Sequence, residues 1–181
     1  MDANDESMRV FFALWPKRKV RAALAAWQPH LQPLCGGLAM REDGLHTTLA
    51  FLGEITTARL EALKLAAQEV EFESFELYFD MARYWGHNHI AFAAPSQVPM
   101  PLLRLVDELE KCLARHHFHF ERRVYKPHVT LLRHANWTDD ALPHLSAVVW
   151  LVRDFVLVRS MRDDQGTHYE VLARFGASEL E

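Results

Sequence analysis

Hydrophobic and polar positions along the chain alternate between two rhythms. Residues 9–15, RVFFALW, form a short apolar and aromatic run closed by Pro16, which reads as a buried strand. From Pro16 to about Leu34, Val20, Leu24 and Trp27 recur at three- and four-residue steps. That spacing predicts a helix with proline in its first turn, ended by Gly36 and Gly37. HTTLAFL returns to a strand composition. Thr56 or Thr57 can cap a helix that runs through Leu60, Leu63 and Ala67 to about Val70. FESFELYFDMARYW predicts one or two strands, and HNHIAFAAP another. The helical period resumes at Val98 and continues through Leu102, Leu105, Val106, Leu109 and Leu113. FHFERRVY and HVTLLRH then predict two strands, with a short helix after them near 138–146. VVWLVRDFVLVRSMR and THYEVLARFG close the chain as strands, the last joined to its predecessor by the turn-rich DDQG.

These elements come twice. FFALWP ends at Pro16 and IAFAAP at Pro95, 79 positions later. Each is followed by a helix and then by a His-x-Thr-Leu strand, at His46 and at His128. SFELYFDMARYW from Ser74 finds an echo in RDFVLVRSMR from Arg153, again 79 positions on. The repeat predicts one domain over 8–176 with an internal period of about 80 residues, preceded by a short acidic tail at 1–7. The expected fold is α+β and bilobal. Two pseudo-symmetric lobes of antiparallel sheet plus helices would face each other across a central cleft.

Composition narrows the class. Of 181 residues, 50% are hydrophobic and 24% charged, as in a soluble globular domain, and no apolar run approaches a bilayer span. The acidic start, MDANDESMRV, does not fit a signal peptide, and Cys35 and Cys112 form no motif, so a cytoplasmic protein with two free thiols is expected. A net charge of −4 excludes a general basic surface for nucleic acid, so any such substrate must be held locally. The basic residues Arg122, Arg123, Lys126 and Arg133 do concentrate around the second histidine motif.

The two histidine strands carry the candidate chemistry. Side chains two apart in a strand share a face, so His46 lies with Thr48 and His128 with Thr130. Thr47, Leu49, Val129 and Leu131 point the other way, into packing. Two such faces opposed about a two-fold axis hold two imidazoles and two hydroxyls around a small anion. Histidine titrates near neutral pH, so one imidazole can act as base and the other as acid in an in-line displacement at phosphorus. The hydroxyls would hold the non-bridging oxygens, and Arg133 would add a fork-shaped donor. Arg133 is five residues after His128, however, so it projects either from the opposite pleat, needing a bend to reach the phosphate, or from beyond the strand end. Proton transfer and hydrogen bonding supply the catalysis, so no metal or cofactor is called for. The near-symmetric motifs leave open which histidine gives the proton.

HTTL at 46–49 and HVTL at 128–131 resemble the paired motifs of the 2H phosphoesterase superfamily. RVFFALWP, LHTTLAFLGEI, YKPHVTLLR and GTHYEVLARF are similar to blocks of its bacterial and archaeal RNA 2′,3′-cyclic phosphodiesterases, also called 2′-5′ RNA ligases (LigT/ThpR type). The resemblance spans about 8–176. It implies a bilobal fold with the active site between the lobes, hydrolysis of RNA 2′,3′-cyclic phosphate ends to 2′-phosphomonoesters, and reversible 2′-5′ joining of RNA ends. It also implies His46 as proton donor, His128 as proton acceptor, and Thr48, Thr130 and Arg133 as phosphate-binding residues. Thr47 stands where family members often carry a larger apolar residue. The partners so implied are RNA ends or nucleotides bearing a 2′,3′-cyclic phosphate, with a monomeric protein and no membrane.

Other readings compete. A phosphodiesterase for a small cyclic nucleotide, or a non-catalytic RNA-end binding module, would use the same pocket. HNH at 87–89 and HHFH at 116–119 have spacings that can chelate a metal, which makes a metal-dependent hydrolase a further alternative. Neither comes with the set of cysteines or carboxylates that usually completes such a site. Phe12, Trp15, Tyr125 and Tyr169 are candidates to stack on a base, with burial the stronger expectation for Phe12 and Trp15.

Overall fold

The computed structural model describes residues 6–137 and 145–178. Strand β1 (Ser7–Leu14) leads into helices α1 (Arg18–Ala25) and α2 (Gln28–Cys35). The one helix expected here is thus two. Pro29 lies in the first turn of α2, a position proline tolerates, whereas inside a continuous helix it would lose a hydrogen bond and clash with the preceding turn. Strands β2 (Leu38–Ala39) and β3 (Thr47–Thr56) follow, then α3 (Leu60–Gln68), β4 (Phe75–Phe79), β5 (Met81–Trp85) and β6 (Ile90–Ala94). Helix α4 (Met100–Arg115) precedes β7 (Val129–Arg133), β8 (Val148–Val152), β9 (Asp154–Asp163) and β10 (Gly166–Gly176).

Residues 118–125 do not form the strand expected of FHFERRVY. Phe118 is buried and the Tyr125 hydroxyl donates to the Thr48 carbonyl at 3.2 Å. Between them the Glu121 N–H donates to the Phe51 carbonyl at 2.8 Å. The segment is pinned to β3 at separate points rather than by a ladder, so its alternation of polar and apolar residues serves anchoring. The short helix expected near 138–146 falls mostly on residues outside those described.

One antiparallel sheet has the order β10-β9-β1-β3 and the other β2-β7-β6-β5, while β4 and β8 pair separately. The halves exchange strands. β1 is flanked by β3 and β9, and β6 by β7 and β5, so each half lends a strand to the other half's sheet. In the β4–β8 pair Leu77 lies opposite Trp150, 73 residues apart, and Phe75–Phe79 maps onto Val148–Val152 at that same shift. An antiparallel pair in which a residue faces its own counterpart straddles a two-fold axis. The echo expected at 79 between Ser74 and Arg153 is therefore displaced by six, because β4–β5 correspond to β8–β9. An even slide keeps every side chain on its own face, which is why the displaced alignment matches in pattern.

Each sheet packs one face on helices. Phe12, Leu14, Ala91, Ala93, Val129 and Leu131 join Leu24, Leu31, Leu63, Leu105 and Leu109 of the helices in a single core. The other faces carry small separate clusters, Phe11, Ala13 and Trp15 in one sheet and Ile90, Phe92 and Ala94 in the other, equivalent at a shift of 79. No helix among the described residues is long and apolar enough to cross a membrane.

Thr47 opens β3 on the core side, fully buried, and its hydroxyl has no hydrogen-bond partner among the described residues. An unsatisfied buried hydroxyl is costly, so Thr47→Val should stabilise the fold by about 1 kcal/mol. The check is a higher Tm in thermal unfolding; an unchanged or lower value contradicts this account of Thr47.

Candidate active site

The start of β3 positions His46 and the start of β7 positions His128. Thr48 and Thr130 follow on the same faces, half-exposed, while Thr47, Leu49, Val129 and Leu131 are buried as the alternation predicts. The histidines are anchored alike. His46 Nδ1–H donates to the Gly44 carbonyl at 2.7 Å, and His128 Nδ1–H to the Lys126 carbonyl at 2.8 Å. A carbonyl can only accept, so it fixes the proton on Nδ1 and leaves Nε2 free for chemistry. Nε2 is then a base in the neutral ring and an acid in the protonated one.

Arg133 reaches the site through a β-bulge. Thr130 pairs with Phe92 but Leu132 pairs with Ala91, so Leu131 is an extra residue in β7. Leu131 and Leu132 are both fully buried, the alternation slips by one, and Arg133 emerges on the face of His128 and Thr130. Of the two routes open to Arg133, the strand takes the bend, since Arg133 lies within β7 and the bulge turns it. β3 has the same device: Thr48 pairs with Ala13 and Ala50 with Phe12, leaving Leu49 extra. Phe51 is consequently the counterpart of Arg133. It packs with the cleft-side cluster of its sheet, under the Arg9 guanidinium 4.8 Å from its ring centre. Gly37 supports the arrangement from the edge strand. Its φ is +83°, and a Cβ there would collide with the Arg133 carbonyl oxygen.

The two imidazoles sit in different surroundings. His46 stacks parallel on Trp15, with ring centres 4.8 Å apart and planes at 2°. Phe11 and Tyr169 close around it at 5.1 and 5.2 Å. His128 meets Trp85 and Phe92 edge-on at 4.6 and 5.4 Å. Burial pushes the His46 pKa down to about 4; the Gly44 carbonyl opposes this, and positive charge on His128 and Arg133 reinforces it. Burial also lowers His128, opposed by the Lys126 carbonyl and aided by the Arg123 charge. The coupling of His46 to both His128 and Arg133 places the three charges in one electrostatic site.

The remaining candidates separate. Phe12 is fully buried against Phe155 and Phe175 on the helix side, away from the cleft. Trp15 lies under His46, and Tyr125 is committed to the Thr48 carbonyl. Tyr169 is half-buried at the edge of His46. Of the basic cluster, Arg133 faces the cleft; Arg123 pairs with Glu121, and Arg122 lies over the Phe120 ring, 4.7 Å from its centre. His89 of HNH bonds the Tyr84 hydroxyl at 3.0 Å. HHFH corrects an expectation, since His116 does have a carboxylate and a cysteine beside it, Glu69 and Cys112, with ligand atoms within 4.8 Å. Cys112 lies in α4, one helical turn before His116, whereas Glu69 comes from the end of α3, 43 residues before Cys112, so local spacing could show the cysteine but not the carboxylate. The Arg115 guanidinium already neutralises Glu69 at 2.8 Å, which makes the group an ion-paired clasp between helix ends.

Comparison with known proteins identifies the family of this chain. The model of the LigT like phosphoesterase family matches the chain twice, at residues 14–91 and 92–169. The "RNA 2′,3′-cyclic phosphodiesterase" of Escherichia coli is 30% identical over 174 residues, 96% of this chain and 99% of its own length. The protein so named from Thermus thermophilus is 31% identical over 179 residues, 93% of this chain and 89% of its own. Crystal structures of E. coli LigT, in apo form and complexed with 3′-AMP, superpose with a TM-score of 0.86 each at 30% identity, covering 97% and 96% of this chain and all of theirs. The chain belongs to the LigT-like phosphoesterase family.

With its pKa held near 4, the His46 imidazole is neutral in the free protein at pH 7. The unfolded histidine titrates near about 6.5, so the unfolded chain binds the extra proton between there and about 4. The His46 contribution to stability is therefore complete above that window and lost as pH falls through it. Histidine NMR should show a His46 midpoint near 4 in the free protein. Inorganic phosphate should raise that midpoint by roughly one unit or more, since an opposite charge at contact favours imidazolium. A midpoint indifferent to phosphate contradicts an anion site between the histidines.

Proposed function

We propose that the protein hydrolyses RNA 2′,3′-cyclic phosphate ends to 2′-phosphomonoesters by two-histidine acid–base catalysis. One observation carries the reading: two His-x-Thr strands present matching Nδ1-anchored imidazoles to one cleft that also receives Arg133. The names borne by the E. coli and Thermus relatives support the substrate class.

In the proposed step the cyclic diester seats its phosphoryl group between the imidazoles. Its non-bridging oxygens accept from the Thr48 and Thr130 hydroxyls and from the Arg133 guanidinium, donors that grip more tightly as charge builds on phosphorus. His128 Nε2 takes a proton from water as the water oxygen bonds to phosphorus. The P–O3′ bond breaks in line, and His46 Nε2–H gives its proton to O3′. The products are a free 3′-hydroxyl and a 2′-phosphate, with His128 protonated and His46 neutral until solvent restores them. The substrate's negative charge raises the fraction of His46 that is protonated from solvent, a fraction that is small in the free protein. A 5′-hydroxyl in place of water forms a 2′-5′ linkage by the same bond changes, and the reverse reaction cleaves it. Imidazoles, hydroxyls and guanidinium account for every proton and charge.

With excess chelator present, the purified protein should convert a nucleoside 2′,3′-cyclic phosphate to the 2′-phosphate, followed by ³¹P NMR. Pure 3′-phosphate product contradicts the regiochemistry, and no turnover contradicts the function. His46→Ala and His128→Ala should each lower kcat by about 10²–10⁴-fold. The double variant should be little worse than either single one, because the pair acts as a unit.

A further inference from the structure

A cavity of about 330 Å³ opens beside the catalytic cleft. Three of its lining residues belong to both: Arg133, Gly44, whose carbonyl anchors His46, and Tyr169, whose ring flanks His46. Beyond this shared wall the lining includes Arg41, Gln165 and Thr167. Its volume is at the small end of ligand pockets, room for about one nucleotide unit rather than a folded partner. Arg41 is exposed, and its guanidinium is paired only with Asp43 at 2.9 Å among the described residues, so donors remain free to point into the cavity.

We infer that this cavity is a subsite for the RNA strand leading to the cyclic end, in which Arg41 binds the 5′-phosphate of the terminal nucleotide. The inference rests on the proposed activity and names its substrate as an oligonucleotide rather than a free cyclic nucleotide. A cyclic phosphate seated between the histidines leaves its nucleoside to occupy a flank of the cleft. The flank through Arg133 and Tyr169 is cationic at both ends and polar along one side, which suits a sugar followed by a phosphodiester. A forked guanidinium grips such a phosphate, and a nucleoside 2′,3′-cyclic phosphate without a 5′-phosphate offers Arg41 nothing to hold. Asp43 competes with that phosphate for Arg41, so the two side chains should act with opposite sign.

The test compares Arg41→Gln and Asp43→Asn on a trinucleotide ending in a 2′,3′-cyclic phosphate and on the matching nucleoside 2′,3′-cyclic phosphate. Arg41→Gln should lower the trinucleotide-to-nucleoside ratio of kcat/KM by about five- to tenfold, the worth of one partly screened phosphate contact. It should also flatten the slope of log KM for the trinucleotide against log salt by about 0.7, one phosphate's share on a single strand. Asp43→Asn should raise the ratio. An unchanged ratio in Arg41→Gln, or both variants moving the ratio the same way, would overturn the subsite. Affinity for a trinucleotide ending in a 2′-phosphate, by fluorescence anisotropy, is measured alongside. Absence of turnover in the unaltered protein would defeat the proposed activity, and the anisotropy of the two variants would still decide the subsite by the same signs.

Discussion

The antiparallel pairing of β4 with β8 holds the architecture together. It joins the two halves where Leu77 faces Trp150, both buried, and it directs each following strand into the other half's sheet. β5 completes the sheet of β6 and β7, and β9 completes that of β1 and β3. Neither sheet is built from one half alone, so neither half can bury its strands without its neighbour. Opposed histidines follow from this exchange. Each imidazole enters at the start of the strand beside its half's first strand, and the two-fold relation turns the two faces toward one cleft.

A symmetric frame would give a symmetric site, whereas attack and departure at phosphorus need different groups on the two sides. The asymmetry enters through side chains on shared backbone devices. Both motif strands bulge one residue after the threonine, at Leu49 and Leu131, and both thereby turn the next cleft-side residue inward. In β7 that residue is Arg133; in β3 it is Phe51. One bulge delivers a guanidinium and the other an aromatic ring, so the positive charge the bulges deliver lies on one side of the midline. The imidazoles diverge the same way, His46 lying face to face with an indole and His128 meeting its aromatics edge-on.

What the sequence could reveal follows from the range of each signal. His46 with Thr48 and His128 with Thr130 were legible because strand geometry ties residues two apart to one face without reference to anything distant. Phe51 was not, since its place opposite Arg133 depends on bulges that only cross-strand pairing defines. Arg133 shows the cost of assuming a regular strand: its parity inverts because Leu131 and Leu132 both turn into the core. The slip between Ser74 and Arg153 has a related origin, because period-two strands align equally well at any even offset. FHFERRVY had the composition of a strand, but it meets the outer edge of β3 only at separate hydrogen bonds and forms no ladder there. Glu69 joined Cys112 and His116 only where α3 meets α4.

The depressed basicity of His46 fits a proton donor once the anion is counted. An imidazole shut among Trp15, Phe11 and Tyr169, near the charge of Arg133, holds no proton of its own at neutral pH beyond the one on Nδ1. A phosphodiester brought into contact shifts the balance: its negative charge offsets Arg133 and raises the fraction of imidazolium beside it. The Gly44 carbonyl already accepts from Nδ1, so protonation at Nε2 needs no rearrangement of the ring. A proton acquired this way is weakly held, and it is released most readily when the departing oxygen gains electron density. On the proposed assignment of His46 as proton donor, burial that looks hostile to an acid therefore makes the imidazolium a stronger one.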